Sequence, residues 1–254
     1  MNDNEVPIGQ HLSELRRRLA WSVIAVGVTT GLAFIFHKEI LLLLMRPARG
    51  FAQVPNQAPI YTEMTEFIGT AMKVSLLAGF ILALPFVMSQ VVMFVAPGLS
   101  FSERRYLYSL IPLSLLAFLA GAAFGYRVLF PPAVNFLLTF GGDVATPFIR
   151  IGNYTNLMLT LLFWMGIVFE TPLVAFFLAK IGVVTPSFLA RNRRYAVVVA
   201  FVLGAIITPT FDPINQTIVA LPIIVMYELG IWLAKLGYRG RGSSGELTID
   251  TKGR

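Results

Sequence analysis

Long uninterrupted stretches of apolar residues dominate the chain, and short polar or charged segments separate them. Six such runs are present, over residues 19–45, 69–96, 106–130, 157–181, 195–207 and 214–236. A helix needs about 20 apolar residues to cross the roughly 30 Å of hydrocarbon in a bilayer. A helix also satisfies its own backbone hydrogen bonds in lipid, whereas strands need a closed barrel with alternating residues. The pattern therefore predicts an all-α, polytopic membrane protein with six transmembrane helices.

The last two runs predict short helices. Residues 195–207 reach only about 20 Å at the 1.5 Å rise of an α-helix. The run 214–236 contains Glu228, a charge, and Pro222, which lacks a backbone donor. Two interpretations stay open at this point. The helices form a re-entrant or weakly tilted pair, or the bilayer becomes thinner around them.

Composition narrows the possible functions. Hydrophobic residues make up 56% of the chain and charged residues 13%, against about 25% charged residues in soluble domains. Cysteine is absent, which excludes disulfides, cysteine metal ligands and thiol nucleophiles. His11 and His37, the two histidines of the chain, lie far apart in the sequence near the ends of the first apolar run, so few ligands are available for a zinc site. None of the common sequence signatures of enzymes is present, so we expect no catalysis, cofactor or bound metal.

Lysine and arginine are distributed unevenly between alternate loops. With the N-terminus in the cytoplasm, fourteen of these residues fall on the inner side and six on the outer side. Because cytoplasmic loops are enriched in these residues, we expect both termini inside and the connections 46–67 and 131–156 outside. Residues 1–238 are expected to form one membrane domain. Residues 239–254, rich in Gly, Ser and charges, predict a disordered cytoplasmic tail.

Glu170 is a carboxylate within the otherwise apolar or weakly polar stretch WMGIVFETPLVAFFL. A carboxylate at bilayer depth costs at least a few kcal/mol, so it should face protein or water, or bind a proton. One interpretation is an interhelical hydrogen bond with a packing role only. The other is a polar docking point for a partner helix, or a site linked to proton movement.

Glu14 lies in the segment QHLSELRRRLAW, one helical turn before Arg17 and Arg18. Charges at this spacing share one helix face, so Glu14 can pair with its own arginines. The segment also has the pattern of an amphipathic helix at the membrane interface.

A second carboxylate on the same predicted cytoplasmic side is Glu103, in FVAPGLSFSERRYLY. Pro97 and Gly98 are expected to end the second span, and Ser102 to cap the third, with Glu103 in its first turn. Capping is the structural interpretation. Glu14 and Glu103 can alternatively bind guanidinium groups as bidentate forks and so select arginine over lysine.

The segment TPTFDPINQ forms the predicted outer turn between the two short helices. Asp212 before Pro213 is typical of a helix N-cap followed by proline in the first turn. Gln216 then adds a polar group one turn into the helix, where it suits interhelical hydrogen bonding.

Four motifs occur in a characteristic order: HLSELRRRL at the amino end, FxxPGLxxxER after the second span, FExP in the fourth, and TP…DPxxQ…ALP around the last two. Together they resemble the TatC family, the multispanning core of the twin-arginine protein translocase, from about residue 9 to 236. The resemblance implies a curved, glove-like bundle in a bacterial or archaeal cytoplasmic membrane. It also implies no catalytic site, and oligomerisation within a larger complex that needs no nucleic acid.

The family's function implies roles for particular residues. TatC proteins recognise twin-arginine signal peptides of folded precursors at the cytoplasmic face. With the single-span partners TatA and TatB they move these precursors by using the protonmotive force. Site residues follow by match to the motifs: Glu14 and Glu103 for the signal arginines, Phe94, Arg16 and Arg104 for the surrounding surface, Glu170 for the intramembrane polar site, Thr208 and Gln216 for partner docking, and Pro47 for the first outer loop.

Two departures limit the transfer of outer-loop roles. The insert PTF between Thr208 and Asp212 is longer than the turn of some relatives, and Glu63 and Glu66 replace more apolar residues. Three other functions are compatible with parts of the sequence. A proton-coupled small-solute transporter would use Glu170 as its relay, but usually needs several deep protonatable groups. An intramembrane protease lacks a visible catalytic set, and a passive scaffold differs only in lacking signal recognition.

Overall fold

The chain is described by a computed structural model over residues 8–50, 59–95, 101–140, 148–208 and 213–245. Within these ranges, the side chains of 8–11, 49, 50, 95, 101–107 and 239–245 lie outside the description. The described parts are helical, apart from turns and one isolated bridge between Ile60 and Arg150. This confirms the all-α prediction. The α-helices are α1 (Ile8–Ile35), α2 (His37–Met45), α3 (Glu66–Val95), α4 (Phe101–Phe124), α5 (Phe130–Thr139), α6 (Ile151–Lys180), α7 (Pro186–Arg191), α8 (Arg193–Ile207) and α9 (Pro213–Gly245).

Five segments in the described ranges are long and apolar enough to cross a membrane. They are Leu12–Ile35, Glu66–Phe94, Tyr108–Thr139, Ile151–Lys180 and Pro213–Tyr238. Helix α8, with 15 residues, is short, as its sequence predicts. Its role as a sixth span stays a prediction, and so does the placement of both termini in the cytoplasm.

The first apolar run was predicted to form one helix, but it forms two. Helix α1 ends at Ile35, and Phe36 leaves the helical conformation with φ −100° and ψ 18°. The reason is local: His37 Nδ1 lies 2.7 Å from the Phe34 carbonyl oxygen, and the two rings stack with centroids 5.0 Å apart. The side chain of His37 thus forms a hydrogen bond with a backbone carbonyl at the end of α1. After α2, a 3-10 turn over Arg46–Gly50 contains Pro47.

The third run extends further than predicted. Residues 131–139 were expected to belong to an outer loop, yet a π-helical turn over Gly125–Leu129 leads into α5, which ends at Thr139. The two prolines of α5 lie in its first turn. Proline fixes φ near the helical value, so it is tolerated in the first turn of a helix.

The prediction that the last helix is short is wrong. Helix α9 continues through Pro222 and Glu228, and its apolar part has 26 residues. Proline removes only one donor from the ladder, and Glu228 is paired, with its Oε1 2.8 Å from Arg193 Nε. The helix also continues past residue 239 to Gly245, where the sequence predicts a disordered tail. Each added helical residue gains a hydrogen bond once the helix is nucleated. Residues 246–254 lie outside the described ranges.

Two compact units make up the chain: Met1–Leu116 with Phe148–Asn156, and Ala117–Pro147 with Leu157–Arg254. The predictions of one domain and of a glove-like shape stay predictions. In the first unit, α1 packs along α3 at a close approach. A Cβ atom added to Gly79 would lie 2.5 Å from the Thr30 backbone, and Thr29 Oγ1 donates a 2.7 Å hydrogen bond to the Gly79 carbonyl. Glycine is therefore required for this helix pair to close.

A cluster of polar groups joins two connections of the first unit, and we call it the interloop latch (Ile60, Glu63, Glu66, Arg150 and Gly152). Ile60 and Arg150 form the isolated bridge. The Glu66 side chain is only 7% exposed. It accepts hydrogen bonds from the Gly152 amide at 3.0 Å and from Arg150 Nη2 at 3.2 Å. The hydrogen bond to Glu66 is also the main cause that raises the pKa of Arg150.

The second unit is packed by glycines at helix crossings. A Cβ added to Gly121 of α4 would meet the Met165 carbonyl oxygen of α6 at 2.3 Å. Between α8 and α9, a Cβ at Gly204 would meet the Gln216 carbonyl oxygen at 2.9 Å. Small residues thus allow close helix contacts, as is common in membranes.

Candidate functional site

Glu14 lies near the start of α1 and binds a guanidinium group. Arg18, one turn further along the helix, donates from Nε to Glu14 Oε1 at 2.9 Å, and its Nη2 contacts the same oxygen. The two side chains are 29% and 17% exposed. The i, i+4 spacing places both on one face of α1, as the sequence predicts. Glu14 therefore already has the position and charge needed to hold an arginine side chain.

Other groups of the same turns surround this carboxylate. Ser13, Glu14, Arg16, Arg17 and Ala20 line a surface concavity. Arg16 and Arg17 are exposed, and no ion pair joins either of them to a carboxylate in the described part of the chain. The concavity is open to a ligand from outside the helix.

Phe94 lies at the same end of the first unit as Glu14. The contact between Gly79 and Thr30 fixes the register of α3 on α1. Glu66, the first residue of α3, accepts a hydrogen bond from the Gly152 amide. Two residues further on, the Tyr154 hydroxyl donates to the Leu44 carbonyl. The amino end of α3 therefore lies near Leu44. The two helices therefore run antiparallel, and about 24 Å of helix separates Glu14 from Thr30 and a similar length separates Phe94 from Gly79.

The second predicted carboxylate is placed only in part. Helix α4 begins at Phe101, so Glu103 and Arg104 lie in its first turn, but their side chains lie outside the described residues. Pro97 and Gly98 also lie outside them. Because α3 ends at Val95, the connection between the two helices is short, and Phe94 and Glu103 flank it.

Glu170 lies on α6, ten residues before its end at Lys180, which is about 15 Å along the axis. Both of its carboxylate oxygens are buried and have no hydrogen-bond partner among the described residues. The packing interpretation, a satisfied interhelical hydrogen bond, therefore finds no donor in this part of the chain. A buried polar group without a partner costs free energy and calls for an explanation by a ligand, a proton or a partner chain.

The two predicted docking residues at the α8–α9 turn make internal hydrogen bonds. Thr208 Oγ1 donates to the Gly204 carbonyl at 2.7 Å, and Gln216 Nε2 donates to the Phe201 carbonyl at 2.8 Å. Gln216 thus joins α9 to α8. Helix α9 begins at Pro213, as predicted, while Asp212 lies outside the described residues.

Two ion pairs were not predicted from the sequence. Glu63 and Glu66 are acidic departures to which no partner was assigned, although Arg150 in the next outer connection carries the opposite charge. Arg193 was likewise not predicted as the partner of Glu228. Opposite charges in consecutive loops on the same predicted side were the available signal in the first case.

Comparison with known proteins agrees with these features. A family model described as Sec-independent protein translocase protein (TatC) matches residues 10–222. The protein of that name from Carboxydothermus hydrogenoformans is 36% identical over 235 residues, which cover 92% of this chain and 95% of the relative. The Aquifex aeolicus relative of the same name is 39% identical over 236 residues, with 92% and 97% covered. A crystal structure of the twin arginine translocase receptor TatC has a TM-score of 0.78 and 39% identity, and the match covers 89% of this chain and 99% of that one.

Apolar helices and polar groups near their ends define a multi-pass membrane protein, and its relatives act in protein translocation. The chain belongs to the TatC family of Sec-independent protein translocase proteins. The resemblance seen in the four sequence motifs is thereby confirmed.

Proposed function

We propose that this chain binds twin-arginine signal peptides of folded precursors at the cytoplasmic face of the membrane, with Glu14 and Glu103 as the arginine-binding carboxylates. The observation that carries the proposal is the Glu14–Arg18 pair, because it demonstrates a guanidinium-binding geometry at Glu14. Charge-assisted hydrogen bonds between guanidinium and carboxylate are about twice as strong as neutral ones. Arg16, Arg104 and Phe94 shape the surface around this site.

The chain then nucleates assembly of a translocation complex with TatA-type and TatB-type single-span proteins, and the protonmotive force drives transport. Two features support docking of partner helices in the second unit. The carboxylate oxygens of Glu170 are buried and have no hydrogen-bond partner in the described part of the chain. The side-chain amide of Gln216 uses its nitrogen in an internal hydrogen bond, and its oxygen can still accept one from a partner. Helix α8, about 22 Å long, also suits a locally thinned bilayer. Both termini lie in the cytoplasm, in line with the arginine-rich inner loops.

This function needs no catalysis, cofactor or metal in the chain itself. The alternative of a proton-coupled small-solute transporter would need a series of protonatable groups near Glu170. Glu228 on α9 is already paired with Arg193. No observation favours that alternative.

Removing either carboxylate is expected to weaken signal binding. Hydrogen bonds to charged groups contribute about 1.5–3 kcal/mol, so Glu14→Gln and Glu103→Gln should each raise the Kd for a twin-arginine peptide about tenfold or more. The measurement is fluorescence anisotropy with the protein in nanodiscs and a labelled synthetic signal peptide. Glu39→Gln, which removes the same charge from an exposed position of α2, is the matched control. Wild-type affinity in both variants would refute the recognition proposal.

Substitution of Glu170 is expected to separate hydrogen bonding from charge. Glu170→Gln keeps acceptor and donor capacity, whereas Glu170→Leu keeps neither. We expect co-purification with TatA-type and TatB-type partners to fall clearly with leucine and only slightly with glutamine. Glu228→Gln, at a carboxylate already paired with Arg193, serves as the control. Undiminished co-purification in both Glu170 variants would exclude the docking role.

A further inference from the structure

The contact between Glu14 and Arg18 is uneven. Arg18 directs both Nε and Nη2 at Oε1 of Glu14. Among the described residues, none donates a hydrogen bond to Oε2. Arg18 thus covers one oxygen of the carboxylate and leaves the other without a donor in this part of the chain. Glu14 also lines the concavity, together with Ser13, Arg16 and Arg17.

An incoming arginine carries the same chemical group as Arg18. The strongest guanidinium–carboxylate contact is a fork in which two parallel N–H groups meet both oxygens. A guest arginine cannot form this fork while Arg18 covers Oε1. It can only contact Oε2 beside the positive charge of Arg18, which repels it.

We propose, on the basis of the proposed function, that Arg18 is an internal competitor that occupies Glu14 in the resting state and leaves it when the signal's arginine binds. Binding is then an exchange of one guanidinium for another. Because ion pairs between residues i and i+4 of a helix contribute little to stability, this exchange is easy, and Glu14 stays paired when no signal is present. Arg18 therefore sets the affinity of the site and prevents Glu14 from binding isolated cations.

The exchange makes a specific prediction for ligand choice. A guest lysine donates through one point charge and has no fork to complete. When Arg18 is removed, the guest lysine therefore gains only relief from the repulsion by the Arg18 charge. A guest arginine gains this relief and also the second carboxylate oxygen.

The test compares Arg18→Gln with Arg17→Gln. The second variant removes the same charge from a residue that lines the concavity and leaves the Glu14–Arg18 pair intact. We expect Arg18→Gln to lower the Kd for a twin-arginine peptide about two- to fivefold more than Arg17→Gln does. For a twin-lysine peptide, the two variants should give equal shifts. If Arg18→Gln lowers the Kd for the twin-arginine peptide no more than Arg17→Gln, or weakens binding, the competitor role is wrong.

A direct readout follows the Arg18 side chain itself. In protein labelled with ¹⁵N at arginine Nε, the Arg18 resonance is assigned by its loss in Arg18→Gln. We expect the Arg18 resonance of the wild-type protein to shift on saturation with the twin-arginine peptide. In Glu14→Gln protein, the same peptide should leave the Arg18 resonance unchanged. An unchanged Arg18 resonance in the saturated wild-type protein would overturn the exchange. If Arg18→Gln does not fold, the pair Arg18→Lys and Arg17→Lys provides the same comparison, with tighter arginine binding expected in the former only.

The two proposals fail in different ways. Wild-type binding by Glu14→Gln refutes arginine recognition at Glu14 and the exchange with it. Weakened binding by Glu14→Gln, together with equal effects of Arg18→Gln and Arg17→Gln, refutes the exchange alone and leaves the recognition site in place.

Discussion

Gly79→Leu is expected to separate α1 from α3 and to destabilise the first unit more than any single polar change in it. Even the first added carbon would lie 2.5 Å from the backbone nitrogen and Cα of Thr30. A backbone cannot rotate out of the way as a side chain can, so the helices must move apart. Overpacking typically costs about 1–3 kcal/mol, and we expect the upper end of that range. The hydrogen bond from Thr29 to the Gly79 carbonyl would be strained as well.

Gly69→Leu is the matched control for this change. Gly69 lies on the same helix, and a Cβ there meets nothing within 4 Å. Leucine also has the higher helix propensity, so the control should be neutral or slightly stabilising. Thermal unfolding in detergent, followed by size-exclusion chromatography, measures both. Equal midpoints for the two variants would show that the close approach of α1 and α3 does not limit stability.

Glu66→Ala is expected to open the interloop latch. The nearly buried carboxylate of Glu66 accepts hydrogen bonds from the Thr62 and Gly152 amides, both at 3.0 Å, in addition to those from Arg150. Alanine leaves these amides without an acceptor and removes one of the two anionic partners of Arg150, the other being Glu63. Amide hydrogen exchange is the suitable measurement. The Ile60 amide donates to the Ile149 carbonyl at 3.0 Å, and the Ile151 amide donates to the Ile60 carbonyl at 2.7 Å. Both amides should lose protection.

Glu63→Ala controls for the loss of charge in the same loop. The Glu63 side chain is 64% exposed and contacts Arg150 Nη2 at 2.8 Å. Exposed ion pairs contribute little, so exchange at Ile60 and Ile151 should remain close to that of the unmodified protein. Glu66→Gln should fall between the two alanine variants, because its amide can accept but carries no charge. If Glu66→Ala and Glu63→Ala had the same effect, the latch would depend on net loop charge and not on the Glu66 contacts.

Features with local causes were predictable from sequence. The pairing of Glu14 with an arginine follows from helical spacing alone, and the start of α9 at Pro213 follows from the preference of proline for the first turn. The apolar runs fixed the helical class because helices satisfy their own backbone in lipid. The family followed from motif order, which carries information that composition lacks.

Features that depend on distant residues were not predictable in the same way. Glu66 and Arg150 are 84 positions apart, and no local pattern indicates which loops meet. The need for glycine at position 79 depends on where Thr30 lies. The bond from Gln216 to the Phe201 carbonyl depends on the packing of α9 against α8. Hydropathy also placed the end of the third run too early, since it penalises proline without regard to its position in the first turn of α5.

Arginine recognition by Glu14 is tested most directly by a double-mutant cycle between this residue and the signal peptide. The Kd is measured for wild-type and Glu14→Gln protein, each with peptides that carry two arginines or one arginine replaced by lysine. If Glu14 binds that arginine, the lysine substitution should weaken binding clearly in the wild-type protein and much less in the variant. We expect a coupling free energy of about 1 kcal/mol or more at one of the two arginines. If the effects of Glu14→Gln and of the lysine substitution add to within about 0.3–0.5 kcal/mol at both arginines, direct contact between Glu14 and the signal is contradicted.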